Sequence, residues 1–301
     1  MSKTILFFGT DQFSASVLQG LLVAGVSISA VITKPDSRSG RGQKVASPLV
    51  KVVAEQAGIP VLQPQRLTDI ATDIAAFDHP AAILASYGKI IPQTILDLFE
   101  PGIINVHPSL LPKYRGASPI ESAILNGDTT TGVSIMQLVA AMDAGPVYVQ
   151  SQIALTGKET AELLSHQLAD EGVRLLVESL PAILDGTLLP KPQKGTTSYC
   201  QKIQKSDGII NWLTPAAQLE RQIRAYHAWP QSRTQLGRVE AIITQAHPLA
   251  TAAGIPGHIT LADSRMIVAT SEDSLAIDAL KPLGKKEMPI EAFLQGYRTR
   301  L

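Results

Sequence analysis

Asn105 and His107 stand two residues apart in the stretch Asn105-Val106-His107-Pro108-Ser109-Leu110-Leu111-Pro112, and Asp143 follows the histidine by thirty-six positions. An amide donates through its NH2, an imidazole donates or accepts, and a carboxylate accepts. Together they suit acyl transfer, in which charge develops on a carbonyl oxygen and a proton must move. The set lacks a nucleophile. No serine occupies a Gly-x-Ser-x-Gly elbow, and the single cysteine, Cys200, is far off in the chain. That absence suggests that the substrate brings its own nucleophile. A metal centre fits poorly, because no other His or Cys stands at ligand spacing near His107. Alone, His107 reads as a packed or surface histidine and Asp143 as the cap of the Met142–Gly145 turn. Their combination with the Pro-interrupted loop is what points to chemistry.

These residues need a strand to hold them. On a strand, residues two apart point to one face. The apolar run from Gly102 into Val106 ends in the Pro-rich loop, so Asn105 and His107 should project together from the carboxyl end of a strand. Upstream, Thr4–Phe8 reads as a buried parallel strand ending at Gly9, Asp11–Ala24 as a helix and Ile28–Thr33 as a second strand. Ser47-Pro48 opens the next helix, with Ser47 as N-cap. Ala81–Ala85 is a strand, followed by a loop with Tyr87-Gly88 and a helix from Pro92. Ser118–Asn126 is a short helix, Gly132–Leu138 and Val147–Ile153 are strands flanking the Asp143 loop, and Thr160–Leu184 is a long amphipathic helix. This rhythm predicts an α/β domain with a mostly parallel sheet covered on both faces. The turn Phe8-Gly9-Thr10-Asp11 holds one glycine, so a dinucleotide fingerprint is absent.

The chain has 301 residues, enough for two domains, and is 45% hydrophobic and 17% charged, as a globular protein should be. One cysteine excludes an internal disulfide framework and fits a reducing compartment. The apolar run at the N-terminus is too short for a signal peptide or membrane span, so the reading is of a cytoplasmic protein with no membrane partner, taken as a monomer. Net charge is zero but uneven: residues 1–186 carry −5 and residues 187–301 carry +5.

Residues 187–205 hold Pro190, Pro192, Lys191, Lys194, Lys202 and Lys205, with no acid and no helical period, and read as a basic linker. Beyond it, Thr214-Pro215 opens a helix to about Ala225. Short β-like runs follow near Ser232–Leu236, Arg238–Ile243, Gly257–Ala262, Met266–Ala269 and Leu275–Leu280, the pattern of a small barrel. The segment Lys34–Lys44 carries four positive charges among Gly and Ser and reads as a flexible loop suited to phosphate backbones.

Asn105–Gly116, together with Gly132–Gln137 and Met142–Gly145, resembles the folate-dependent formyltransferases. The fuller match, to those members that act on charged tRNA, runs through Phe8-Gly9-Thr10, Arg41-Gly42, Ser86-Tyr87-Gly88, Tyr199, Lys202, Lys205, Asn211-Trp212 and Ala228-Trp229-Pro230. Where the family usually has Pro after Gly-Thr, this chain has Asp11, and Pro108 stands where some members have Gly. The resemblance implies a Rossmann-like formyltransferase domain over residues 1–186, a linker over 187–205 and an OB-like barrel that binds tRNA over 206–301. It implies 10-formyltetrahydrofolate as donor, the α-amine of methionine-charged initiator tRNA as acceptor, and no metal. Asn105, His107 and Asp143 become catalytic. Ser109, Leu110, Leu111 and Pro112, with Tyr87 and Gly88, lie against the folate, and Arg38, Arg41, Lys44, Lys202 and Lys205 contact tRNA. Formyl transfer to an amino sugar-nucleotide and hydrolysis of the folate to formate are the chemical alternatives. An idle folate- or RNA-binding module is a third, and the intact trio speaks against it.

Overall fold

The computed structural model describes residues 3–39, 44–250, 254–262 and 264–301. In chain order the elements are β1 (Ile5–Phe8), α1 (Gln12–Val23), β2 (Ala30–Ile32), β3 (Ser37–Ser39), β4 (Lys44–Ala46), α2 (Leu49–Gln56), β5 (Val61–Leu62), α3 (Ala71–Ala75), β6 (Ala81–Leu84), α4 (Gln93–Leu96), β7 (Ile103–His107), β8 (Arg115–Gly116), α5 (Pro119–Leu125), β9 (Thr130–Gln137), β10 (Val147–Ala154) and α6 (Ala161–Leu184). They continue with β11 (Tyr199–Cys200), α7 (Ala216–Ala225), β12 (Ser232–Leu236), β13 (Val239–Leu249), β14 (Ile259–Ala262), β15 (Arg265–Ala269), β16 (Ser274–Pro282), β17 (Met288–Pro289) and α8 (Ile290–Tyr297). The chain divides into two compact units: Met1–Pro119 with Thr131–Ile153 and Ser165–Cys200, and Ile120–Thr130 with Ala154–Leu164 and Gln201–Leu301.

The first unit is built on a seven-stranded sheet in the order β10-β9-β7-β6-β1-β2-β5. Strands β5, β2, β1, β6 and β7 run parallel, and β9 is antiparallel to β7. All four residues of β1 and of β6 are buried, as central strands covered on both faces require. Phe8 meets Tyr87 and Phe99 edge-on at 5.4 and 5.7 Å between ring centroids, which anchors the core beneath the carboxyl ends of β1 and β6. Asp11 starts α1 as its N-cap, accepting from Ser14 N at 3.1 Å. Its other carboxylate oxygen takes the Ser86 hydroxyl, so Asp11 ties together the segments that follow two neighbouring strands.

Three local readings change. Pro48, not Ser47, is the N-cap of α2, and the Ser47 hydroxyl donates to Asp36 at 3.2 Å, because Asp36 also gathers Lys51 and Gln63. The basic segment is not wholly loop: β3 and β4 pair antiparallel with Ser37 opposite Ala46 and Ser39 opposite Lys44. Arg41 lies outside the described residues. Finally, residues 187–200, expected as part of a linker, are strapped along the first unit. Lys191 and Val147 exchange two backbone hydrogen bonds of 2.8 Å, and β11 pairs with β8.

In the second unit, β12-β13-β16-β15-β14 form an antiparallel sheet, with β17 on β16. Register shifts around Gln245 mark a bulge in the long strand β13. Leu219 and Ile223 of α7 and Phe293 and Leu294 of α8 share one core with Ile243, Leu275 and Leu280 of the sheet. Among the described residues no helix is long and apolar enough to cross a membrane.

Candidate active site

Strand β7 carries the Asn-x-His pair because its two faces do different work. Val106 points to the α6 side. A Cβ on Gly172 would stand 2.7 Å from Val106 Cγ1, so only a glycine lets that helix lie so close. Asn105 and His107 point the opposite way and are each 4% exposed. The neighbour β9 sets Met136 opposite Asn105 and Ser134 opposite His107.

The loop after β7 is held by hydrogen bonds at nearly every residue. Ser109 N bonds the His107 carbonyl at 2.9 Å, and the Ser109 hydroxyl bonds Lys113 O at 2.5 Å. Ser134 donates to Ser109 O at 2.6 Å and accepts from Leu111 N at 3.0 Å. Gln150 then binds both the Ser134 hydroxyl and Leu111 O, at 2.8 and 2.9 Å. The chain turns at Tyr114, whose φ of +59° is left-handed. That turn brings the Tyr114 carbonyl to 3.0 Å from His107 Nε2.

This contact assigns the tautomer. A carbonyl only accepts, so Nε2 carries the proton. His107 Nδ1 is the nitrogen left for chemistry, and it faces Asp143 Oδ2 at 3.8 Å. Asp143 sits at a left-handed φ of +47°, a conformation Asp tolerates better than most residues, and its Oδ2 accepts from Gly116 N at 2.8 Å. The Asn105 side chain finds no hydrogen-bond partner among the described residues. A nearly buried amide with free donors beside an imidazole is an arrangement suited to charge on a carbonyl oxygen. The three residues of the Asn-x-His and Asp pattern are thus gathered at one place.

The other expected site residues divide. Ser109, Leu111 and Pro112 are buried; the Ser109 carbonyl and the Leu111 N–H and carbonyl are taken by Ser134 and Gln150, the Ser109 hydroxyl by Lys113 O, and Leu110 is half-buried. Tyr87 and Gly88 stand after β6, at the carboxyl ends of β1 and β6, where the strand order reverses and open α/β sheets bind ligands. The Tyr87 ring, however, is 1% exposed inside the core; its hydroxyl has no partner and burial pushes its pKa up to about 12. The Tyr87 carbonyl accepts from Thr10 Oγ1 at 2.9 Å. Gly88 has a φ of +67°, and a Cβ there would come within 2.6 Å of Lys34 Nζ. Arg38 and Lys44 lie on the paired strands β3 and β4, whereas Lys202 and Lys205 are exposed and belong to the second unit.

Several supporting groups escape a reading by residue type. They are the Tyr114 carbonyl, the Gly116 N–H, Ser134, Gln150 and Gln193. Gly116 alone carried a signal: its φ is +123° and a Cβ would fall 2.2 Å from the Cys200 carbonyl, so no other residue fits. Among the described residues no group of three His, Cys, Asp or Glu is placed to hold a metal.

Known proteins resemble this chain over nearly its whole length. A family model described as formyl transferase matches residues 2–180, and one described as formyl transferase, C-terminal domain, matches residues 202–298. The chain is 37% identical over 298 residues to a methionyl-tRNA formyltransferase of Thermodesulfovibrio yellowstonii, covering 98% of this chain and 96% of that protein. It is 40% identical over 296 residues to one of Dechloromonas aromatica, covering 97% and 95%. Among solved structures, the fold is similar to an N-formyltransferase of Helicobacter canadensis in complex with folinic acid and dTDP-3-aminofucose, with a TM-score of 0.68 at 18% identity over 95% of this chain and 100% of that one. It is also similar to HypX of Aquifex aeolicus, with a TM-score of 0.67 at 18% identity; 99% of this chain is covered, and it spans 48% of that protein. Matched by family models in both halves and carrying buried Asn105 and His107 with Asp143 facing the histidine, the chain belongs to the formyl transferase family.

Proposed function

We propose that the protein transfers the formyl group of 10-formyltetrahydrofolate to the α-amine of methionyl initiator tRNA. The observation that carries the chemistry is the unpaired Asn105 amide beside a histidine whose Nδ1 faces Asp143. The acceptor rests on the methionyl-tRNA formyltransferases that match nearly the full length. The folate supplies a formyl group on nitrogen. The α-amine is its own nucleophile and titrates at about 7.7–8.0, so a useful fraction is neutral near pH 7. As the amine bonds to the formyl carbon, Asn105 donates an N–H to the oxygen on which charge develops. Asp143 accepts the proton that leaves the amine, directly or through water. His107, with Nε2–H fixed on Tyr114 O, works through Nδ1: as imidazolium it donates toward the same charge, and as neutral ring it accepts a proton. The carbon–nitrogen bond to the folate then breaks, and the departing nitrogen takes a proton. A folate seat against Leu110 and the backbone of residues 86–88 fits the strand-end crevice.

The tRNA is held, on this reading, by phosphate contacts from Arg38, Arg41, Lys44, Lys202 and Lys205 and by the second unit. The proposed division is a catalytic domain over 1–186, a linker over 187–205 whose first part, to Cys200, lies along that domain, and a tRNA-binding domain over 206–301, in a cytoplasmic monomer. Formyl transfer to an amino sugar-nucleotide is the competing reading. The basic segment between β2 and α2 argues against it. The test is an acceptor assay with formyl-labelled donor and three acceptors: charged initiator tRNA, an amino sugar-nucleotide and water. Label on the methionyl amine supports the proposal. Label appearing only on the sugar-nucleotide, or only as free formate, overturns it.

A further inference from the structure

Gln193 uses both ends of its side-chain amide. Oε1 accepts from Arg115 Nε at 3.1 Å and from Arg115 Nη2 at 2.6 Å. Nε2 donates to the main-chain carbonyls of Asp143 and Gly145, each at 2.8 Å. These two grips fall on either side of one contact. Arg115 precedes Gly116, whose N–H holds Asp143 Oδ2 at 2.8 Å. The Asp143 turn is the other end of that contact. Gln193 therefore clamps the segment that supplies the N–H to the segment that supplies the carboxylate.

The clamp itself is anchored. On one side of Gln193, Lys191 is tied by two backbone bonds to Val147, the first residue of β10. On the other, Ser198 binds three ways around the active-site loop. Its N donates to Pro112 O at 3.2 Å, its carbonyl accepts from Arg115 N at 2.9 Å, and its hydroxyl accepts from Tyr114 N at 2.9 Å. Tyr114 is the residue whose carbonyl orients His107. The strap thus bears on both members of the His107–Asp143 pair.

We infer that Gln193 is a positioning residue for formyl transfer: by bridging Arg115 and the Asp143 turn it sets where the Asp143 carboxylate stands relative to His107 Nδ1. This rests on the proposed reaction, in which Asp143 takes a proton. The left-handed backbone of Asp143 lies uphill by roughly 1–2 kcal/mol for an L-residue, so the turn needs external bonds to stay there. Without Gln193 Nε2, two carbonyls lose their donors and the carboxylate is free to swing away from Nδ1. A misplacement of about 1 Å in such a group costs up to about a hundredfold in rate.

The variants are Gln193→Met, which keeps size without hydrogen bonds, and Gln193→Glu, which keeps the Arg115 contact but sets a carboxylate against two carbonyls. Single-turnover formyl transfer, KM for donor and for charged tRNA, and melting temperature are measured for both. Hydrogen exchange over residues 141–146 is followed by mass spectrometry. Transfer should slow by about tenfold in Gln193→Met and further in Gln193→Glu, with each KM within about twofold, while exchange over the turn accelerates. The decisive comparison places Gln193→Met in the Asp143→Ala background. If Gln193 acts through Asp143, the second change there adds less than about twofold, because the group it positions is gone. Equal slowing in both backgrounds, or wild-type transfer in Gln193→Met, overturns the inference. Failure of the wild-type enzyme to formylate charged tRNA would instead overturn the functional reading, and the exchange data would still decide whether Gln193 holds the turn.

Discussion

Asn105→Ala separates activity from stability in a direction set by the structure. Asn105 is 4% exposed, its side chain finds no hydrogen-bond partner among the described residues, and its amide atoms are not among the fully buried unpaired ones, so they keep access to solvent. Replacing Asn105 by alanine removes no protein hydrogen bond, and a change of this kind costs about 1 kcal/mol. The melting temperature should therefore stay within about 2–4 °C of wild type, the shift that roughly 1 kcal/mol produces in a chain of this size. The rate should not stay. Loss of one donor to a developing oxyanion slows the chemical step by about 100- to 1000-fold, or about 2.7–4 kcal/mol. His107→Ala is the internal control. It strips the His107 donor from Tyr114 O, in a residue 6% exposed, where the weak Cys200 thiol at 3.6 Å also donates. That variant should lose both transfer and about 1–3 kcal/mol of stability. Single-turnover transfer and calorimetry on the two variants decide the matter. Transfer by Asn105→Ala within about threefold of wild type would refute the oxyanion role. A fall in melting temperature as large as that of His107→Ala would show that the amide is structural instead.

Gly116→Ala should cost at least about 2–3 kcal/mol by thermal unfolding and most of the activity, since its Cβ would stand 2.2 Å from the Cys200 carbonyl and push β8 off β11. Glu159 is 9% exposed; burial alone would raise its pKa, but hydrogen bonds from Thr156 and Gly157 outweigh that and hold it below the ordinary value. A lowered folded pKa gives stability that is present above the unfolded pKa and fades as pH falls through the folded one. Glu159→Gln should therefore flatten the acid-side loss of stability as pH falls through and below the ordinary glutamate range, as read by melting temperature against pH. For the basic segment, neutralising Arg38, Arg41 and Lys44 to Gln together should flatten the slope of log tRNA affinity against log salt by about 2–3, close to one per lost phosphate contact. Parallel slopes would mean that those three charges do not touch the acceptor.

Local pattern carried most of what the sequence revealed. Fully apolar runs announced β1 and β6, and helical spacing announced α1 and α6, because side-chain period and burial are properties of a few adjacent residues. The Asn-x-His spacing told which side chains share a face of β7, since alternation along a strand follows from the backbone alone. Shorter elements lack such a signal. Strand β5 has two residues and α8 was not anticipated, because their formation depends on the neighbours they pack against. Nothing local told that β9 would run antiparallel to β7.

What holds the trio in register was decided by tertiary structure alone. The acceptor for His107 Nε2 is a backbone carbonyl, a group every residue has, so residue type at Tyr114 says nothing of it. Gln193 reaches Asp143 across 50 positions and Arg115 across 78, and a proline- and lysine-rich stretch with no period gives no hint of such a clamp. Tyr87 shows the converse: its motif read as part of a folate site, but its ring packs edge-on against Phe8 in the core, where apolar burial outweighs the unpaired hydroxyl. Chemistry needs particular functional groups, and those are written in the sequence. Their distances and protonation are set by contacts between distant segments, and only the folded chain supplies those.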